Sequence, residues 1–122
     1  MIPDFLDAAT TIDDCTIGLE VRDVPGLTLA TTVTITNSTD VGVELQDCDN
    51  PSVDNLVLQD NTGSGGAIRL DDCGEFELGG ANMIGGTGVE NSWPLTITAG
   101  SYPSATSAIP TSGNFNNDIQ VD

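Results

Sequence analysis

Apolar and polar residues alternate along this chain in short segments that return about every 24 residues. The first set of segments covers residues 18–24, 42–48 and 67–73, and each has apolar side chains at every second position. A degenerate fourth copy begins at Gly88-Val89-Glu90. Alternation with a period of two predicts strands that bury one face.

Two further sets of apolar positions keep the same period. The second set precedes turn-type residues and a threonine, and it consists of Ile12, Ile35, Leu58 and Ile84. The third set consists of Leu27 and Leu29, Val53, Phe76 and Leu78, Leu95 and Ile97, and Ile119 and Val121. Each repeat is therefore predicted to hold three short strands joined by turns.

A repeat of 22–25 residues with three strands predicts one three-sided coil of a parallel β-solenoid. Successive coils of such a fold stack about 4.8 Å apart, and each coil buries its apolar face only against its neighbours. We expect an all-β fold with about five coils in a single array over residues 1–122, with regular coils over 5–99, a long loop over 100–117 and a last strand over 118–122. The expected inward ladders include Leu19, Val43, Ile68 and Val89, and also Val21, Leu45 and Leu70.

These three registers resemble the right-handed parallel β-helix superfamily, whose coils are those of pectate-lyase-like proteins. The resemblance extends from about Phe5 to Val121 and implies a right-handed solenoid. It implies little about activity, because the superfamily includes lyases, hydrolases, epimerases, phage tailspikes and adhesins. Phe5 lies 24 residues before Leu29, and Ile119 lies 24 residues after Leu95. We therefore expect a segment of a longer solenoid, or a unit that stacks end to end.

The charge balance is strongly acidic and limits the possible partners. The chain has 19 acidic residues against two arginines, with no lysine or histidine, and its net charge is −17. Nucleic acid is excluded as a partner because phosphates require a basic surface. No stretch reaches the roughly 18 apolar residues of a membrane span, and the first residues do not form a signal peptide. The composition is typical of saline habitats or the cell exterior, so we expect an extracellular, cell-surface or virion-surface location.

Acidic residues recur at one repeat position, where Asp23, Asp47 and Asp72 align and Asp71 lies beside them. Carboxylates stacked about 5 Å apart repel each other unless a cation lies between them. Calcium takes about six to eight oxygen ligands in flexible geometry, so one interpretation is a calcium site at these four residues. The resemblance to pectate-lyase-like enzymes also implies calcium bound by aspartates on one face. The other interpretation is a row of solvated carboxylates that bond to their own turns.

The sequence provides no complete catalytic set. Glycoside hydrolysis needs two positioned carboxylates, and Asp71 with Asp72 is the candidate pair. Polygalacturonase-like members of the superfamily also carry histidine and lysine motifs, which this chain lacks. A lyase would need a proton acceptor, and only Arg22 and Arg69 remain for that role. We therefore predict that this segment is not an enzyme.

Two of the three cysteines share a repeat position, since Cys48 and Cys73 stand where Val24 stands in the coil before. A disulfide or a metal–thiolate pair is one interpretation of this alignment. The other is a buried ladder in which cysteine serves as a small apolar residue. Cys15 belongs to a turn and is expected to be unpaired.

Three aromatic residues, Trp93, Tyr102 and Phe115, lie near the last coil and its predicted loop. Either they bind a glycan or a partner, or Trp93 and Phe115 cover the open end of the solenoid. We expect a non-catalytic structural or adhesive segment of a larger extracellular or virion-surface protein. The alternatives are a fragment of a calcium-dependent polysaccharide-active enzyme and a subunit that stacks end to end into a filament.

Overall fold

The computed structural model describes residues 9–122, and the predicted strand around Phe5 lies outside the described residues. The described part of the chain contains strands and no helix. The strands are β1 (Thr10–Asp13), β2 (Ile17–Arg22), β3 (Thr28–Leu29), β4 (Val33–Thr36), β5 (Val41–Gln46), β6 (Ser52–Val53), β7 (Leu56–Gln59), β8 (Gly66–Asp71), β9 (Gly74–Leu78), β10 (Met83–Ile84), β11 (Leu95–Ile97), β12 (Ser101–Pro103) and β13 (Ile119–Val121).

All strand pairs are parallel, and the strands form three sheets. The first sheet has the order β1-β4-β7-β10, the second β2-β5-β8-β11-β13, and the third β3-β6-β9-β12. The chain visits the three sheets in turn, so each strand pairs with the equivalent strand of the next coil. The fold is a parallel β-solenoid of about five turns, as predicted. Its right-handedness stays a prediction.

The strand registers confirm most of the predicted ladders. Equivalent apolar residues lie opposite each other in successive coils, as the period-2 pattern requires. The confirmed ladders are Leu19–Val43–Ile68 and Val21–Leu45–Leu70 in the second sheet, Ile12–Ile35–Leu58–Ile84 in the first, and Leu29–Val53–Leu78 in the third.

These ladders form one continuous apolar core inside the coil. Ile35, Leu45, Leu58, Leu70 and Phe76 are fully buried. Burying such a side chain contributes about 1.5–3 kcal/mol relative to leaving it exposed. Because each layer of the core contacts only the layers above and below it, stability accumulates coil by coil.

The fourth coil departs from the sequence prediction. The segment around Val89 lies in a turn and does not continue the ladder of Ile68. Strand β11 takes that place instead, with Ile97 opposite Leu70. The loop over residues 85–94 is longer than the equivalent loop over 37–40, so a fixed period of about 24 residues indicates the wrong segment. Turn length varies at little energetic cost, whereas strand register does not.

The same insertion makes the third-set assignment of the last strands wrong. Leu95 and Ile97 were predicted to follow Leu78, but they lie in the second sheet. Ile119 and Val121 pair with Leu95 and Ile97, so the predicted spacing is correct and the predicted sheet is not.

The predicted loop over residues 100–117 contains a strand. Strand β12 within it pairs with β9. Beyond β12, the N–H groups of Ser104 and Ala108 donate to the carbonyls of Phe76 and Leu78 at 2.7 and 2.9 Å. This segment therefore follows the third sheet despite its Ser-rich and Pro-rich composition, because its backbone groups find partners in the coil below.

Candidate functional site

Aspartate and asparagine occupy the corners of the solenoid, where the backbone is left-handed. This region is rare for residues other than glycine, and Asn and Asp tolerate it best because their short polar side chains bond locally. At the corner between the first and second sheets these residues are Asp14, Asn37 and Asp60, with φ of 58, 57 and 57°. At the corner between the second and third sheets they are Asp23, Asp47 and Asp72, with φ of 59, 54 and 50°.

The Asp ladder consists of Asp23, Asp47 and Asp72, whose side chains are exposed. The N–H of Asp47 donates to the carbonyl of Asp71 in the next coil at 3.0 Å. Desolvation raises the pKa of the Asp47 carboxyl, and the charges of Asp23, Asp72, Asp71 and Asp49 raise it further. The turn geometry thus explains why Asp stands at this position. Stacking the coils places these negative charges near each other, and their repulsion is unfavourable.

The predicted calcium ligands do not converge in this structure. Asp71 accepts a hydrogen bond from the hydroxyl of Thr98, so its carboxylate is already engaged. Within residues 9–122, no three side chains of His, Cys, Asp or Glu lie close enough together to hold a metal ion. Calcium needs about six to eight oxygens, which one carboxylate per coil does not supply. A calcium site at Asp23, Asp47, Asp71 and Asp72 stays a prediction.

Both arginines lie on the outward face of the second sheet and pair with carboxylates. Arg22 pairs with Glu20. Arg69 Nη2 lies 2.7 Å from Glu44 Oε2 and 3.5 Å from Asp40 Oδ2. Burial lowers the pKa of Arg69, but the hydrogen bonds and charges of Glu44 and Asp40 outweigh it and raise that pKa. Arg69 therefore holds its proton and serves as a counter-ion to two carboxylates of the preceding coil.

A buried column of asparagines, the Asn ladder, runs inside the corner between the first and second sheets. It consists of Asn61, Asn91 and Asn114, one from each of three successive coils. Asn91 Oδ1 accepts from the N–H and Nδ2 of Asn61 at 2.9 and 3.1 Å. Asn114 Oδ1 accepts from the N–H and Nδ2 of Asn91 at 3.3 and 3.0 Å. These bonds tie each coil to the next through side chains as well as strands.

Each asparagine of this ladder also closes its corner by bonding to the end of a strand of the first sheet. The Nδ2 groups of Asn61, Asn91 and Asn114 donate at 3.1, 2.8 and 3.3 Å to the carbonyls of Ile35, Leu58 and Ile84, respectively. The sequence interpretation missed this ladder. The only signal was an asparagine in three successive turns, and the unequal turn lengths hide its spacing.

The Asn ladder stops at Ser38, which occupies the equivalent position one coil earlier. The N–H of Ser38 donates to Asn61 Oδ1 at 3.0 Å. Its side chain is 1% exposed, and its Oγ has no hydrogen-bond partner among the described residues. The serine hydroxyl is too short to continue the pattern, so the ladder ends on an unsatisfied group.

The three predicted binding aromatics do not form one surface. Phe115 lies at the corner between the first and second sheets, with its ring 72% exposed, and its N–H donates to the carbonyl of Asn91 at 2.9 Å. Trp93 lies at the same corner one coil earlier and is half-buried. Tyr102 lies in β12 of the third sheet and is 55% exposed. Only Trp93 and Phe115 can therefore contribute to a shared surface.

All three cysteines are free thiols, and no disulfide occurs within the described residues. The Cys48 and Cys73 side chains are fully buried within the apolar core. Their Sγ atoms donate to the carbonyls of Val21 and Leu45 at 3.5 and 3.3 Å, two equivalent positions one coil apart. Burial raises the pKa of the Cys73 thiol. The two residues serve as small core residues in this structure.

The class of protein that this geometry defines is the parallel β-solenoid. Comparisons with known protein families, with curated proteins and with solved structures found no match. In the part of the chain that the structure describes, no helix is long and apolar enough to cross a membrane.

Proposed function

We propose that this chain is a rigid, non-catalytic β-solenoid segment of a larger extracellular or virion-surface protein, related to the right-handed parallel β-helix superfamily. Its role is to hold and display a surface that contacts glycans or a protein partner. The observation that carries the proposal is the use of its polar side chains, which bind one coil to the next. Arg69 bonds to Glu44 and Asp40 of the preceding coil, and the Asn ladder accepts from backbone N–H groups that its corner would otherwise leave unsatisfied.

Rigidity follows from the way the coils are joined. Parallel strands connect each coil to its neighbour on three sides. The Asn ladder adds buried side-chain bonds at one corner. A fold whose stability is the sum of neighbouring interfaces keeps its shape as it lengthens, which suits a spacer or a display scaffold.

The exposed side chain of Phe115, one coil from the half-buried Trp93 at the same corner, is the best-supported adhesive surface. Aromatic rings offer a large apolar face, and the C–H face of a sugar ring can pack against it. The net charge of −17 repels anionic polymers. A neutral or amino glycan is therefore a better ligand for this corner than an acidic polysaccharide.

A glycan array combined with an activity screen on polysaccharides tests this proposal. We expect binding to neutral or amino glycans that is lost in Phe115→Ala. Tyr102→Ala is the matched control, because Tyr102 is also exposed but lies on the third sheet. No release of reducing ends or unsaturated sugars is expected. Turnover of a polysaccharide would instead support the alternative, a fragment of a calcium-dependent polysaccharide-active enzyme.

End-to-end self-association is a second candidate, and one observation favours it. Strand β13 is the edge of the second sheet, and its Val121 is 76% exposed. Edge strands present backbone groups that can pair with another chain. Charge repulsion between two copies opposes this association, so it should strengthen with salt. Light scattering at several protein and salt concentrations tests it, and a monomer under all conditions would exclude the filament.

A further inference from the structure

Residues Asn37-Ser38-Thr39 form the only Asn-x-Ser/Thr segment in the sequence whose middle residue is not proline. This pattern is the acceptor sequence for N-linked glycosylation, and it has that role only in an accessible surface segment. The structure provides the accessibility. Asn37 and Thr39 are both exposed, while Ser38 between them points into the corner and is buried.

The turn geometry presents Asn37 outward. Its φ of 57° matches the values of Asp14 and Asp60, the equivalent residues of the coils before and after. Asn37 is thus the one amide in a row otherwise occupied by carboxylates. The buried asparagines of the same corner, by contrast, turn their side chains into the Asn ladder.

The amide of Asn37 retains capacity for a new bond. Its Nδ2 donates to the exposed carboxylate of Asp13, with 2.8 Å between Nδ2 and Oδ1. A side-chain amide has two N–H donors, so this bond occupies one of them. Replacing the other hydrogen by a sugar leaves the contact with Asp13 intact.

We propose that Asn37 is an N-glycosylation site whose donor substrate is a lipid-linked oligosaccharide, an inference that rests on the proposed extracellular location. In the transfer, Nδ2 forms a bond to C1 of the first sugar and loses one proton. The bond between C1 and the lipid pyrophosphate breaks, and the pyrophosphate takes the electron pair. The step needs no oxidant or reductant.

A glycan at Asn37 would lie on the same corner as Phe115 but at the opposite end of the stack. Three coil steps separate the position of Ser38 from that of Asn114, which is about 14 Å at 4.8 Å per coil. The sugar would therefore shield the early coils and leave the ring of Phe115 accessible. It would also place neutral, hydrated bulk beside the acidic carboxylates of Asp13 and Asp14.

The test is secretion of the full chain, behind a heterologous signal peptide, from a eukaryotic cell line that glycosylates proteins. We expect a one-glycan mobility shift that peptide:N-glycosidase F removes while converting the acceptor asparagine to aspartate. The shift should be lost in N37D and in T39A and retained in T39S. N37D keeps the residue type that the row uses in the neighbouring coils, so the fold should tolerate it.

A matched variant tests whether the same corner position accepts a glycan in the next coil. Asp60→Asn places the acceptor pattern in the next coil, because Thr62 follows two residues later, and should add a second shift of equal size. A wild-type chain that stays unmodified would overturn the site at Asn37, whether or not the D60N variant is modified. Because secretion is imposed by the added signal, that result would not bear on the native location or on glycan binding by Phe115.

Discussion

The strongest energetic prediction concerns Asn91, the middle residue of the Asn ladder. Its side chain is fully buried and makes four hydrogen bonds. Replacing it by alanine removes the acceptor for the N–H of Asn61, whereas the carbonyl of Leu58 still accepts from the N–H of Gly85 at 2.8 Å. Water cannot reach these groups easily, since they lie within the solenoid corner.

The expected loss of stability follows mainly from the N–H of Asn61, which is left without its acceptor. A buried donor or acceptor left without a partner costs about 1–3 kcal/mol. One such group, together with the small cavity left by the amide, predicts a loss of about 3 kcal/mol for Asn91→Ala. That is a large share of the roughly 5–15 kcal/mol of a typical domain. The variant should therefore unfold at a clearly lower urea concentration than the wild type.

Urea denaturation followed by circular dichroism measures this loss. Urea is preferable to guanidinium chloride because guanidinium is a salt and would screen the net charge of −17. Ser38→Ala is the matched control, since Ser38 is buried in the same column and its Oγ has no partner. Removing an unsatisfied hydroxyl should change stability by less than about 1 kcal/mol or increase it. Equal losses for the two variants would refute the reasoning.

Three further predictions concern charge. Arg69→Met should lower the free energy of unfolding by about 1–2 kcal/mol in urea, because it leaves Glu44 half-buried and unpaired, and unchanged stability would contradict this. Asp47→Asn should raise the melting temperature at neutral pH and low salt, since charged Asp47 is repelled by its neighbours. That gain should vanish as the pH falls through the raised pKa of Asp47, because native Asp47 is then neutral, and a constant gain would count against it. Calcium bound at the Asp ladder would raise the melting temperature above its value in magnesium at equal ionic strength, and D47N should remove the difference; equal temperatures in the two salts would argue against the site.

The regular coils could be predicted from sequence because the pattern that defines them is local. Inward and outward positions alternate along each strand, so the ladder from Leu19 through Val43 to Ile68 is visible without any structure. The alignment of Glu44 with Arg69 follows from the same register. The ion pair between Arg69 and Glu44 follows from that alignment.

The last coils could not be predicted, because their register depends on turn length. The longer loop over residues 85–94 displaces β11, so Leu95 lies beside Ile68 rather than Val89. A period measured in the first coils cannot detect such an insertion. The separation of Tyr102 from Phe115 has the same origin, since it depends on which sheet each segment enters.

By itself, the sequence determined the architecture of this protein: parallel coils, three apolar sets and corners rich in Asp and Asn. Those features depend on alternation and on backbone preferences, which act over a few residues. Only the tertiary structure decided how the polar groups are used. It placed Asn91 between Asn61 and Asn114, left the hydroxyl of Ser38 without a partner and exposed Asn37. These outcomes depend on contacts between neighbouring coils, whose bonded residues are 23–30 positions apart in the sequence.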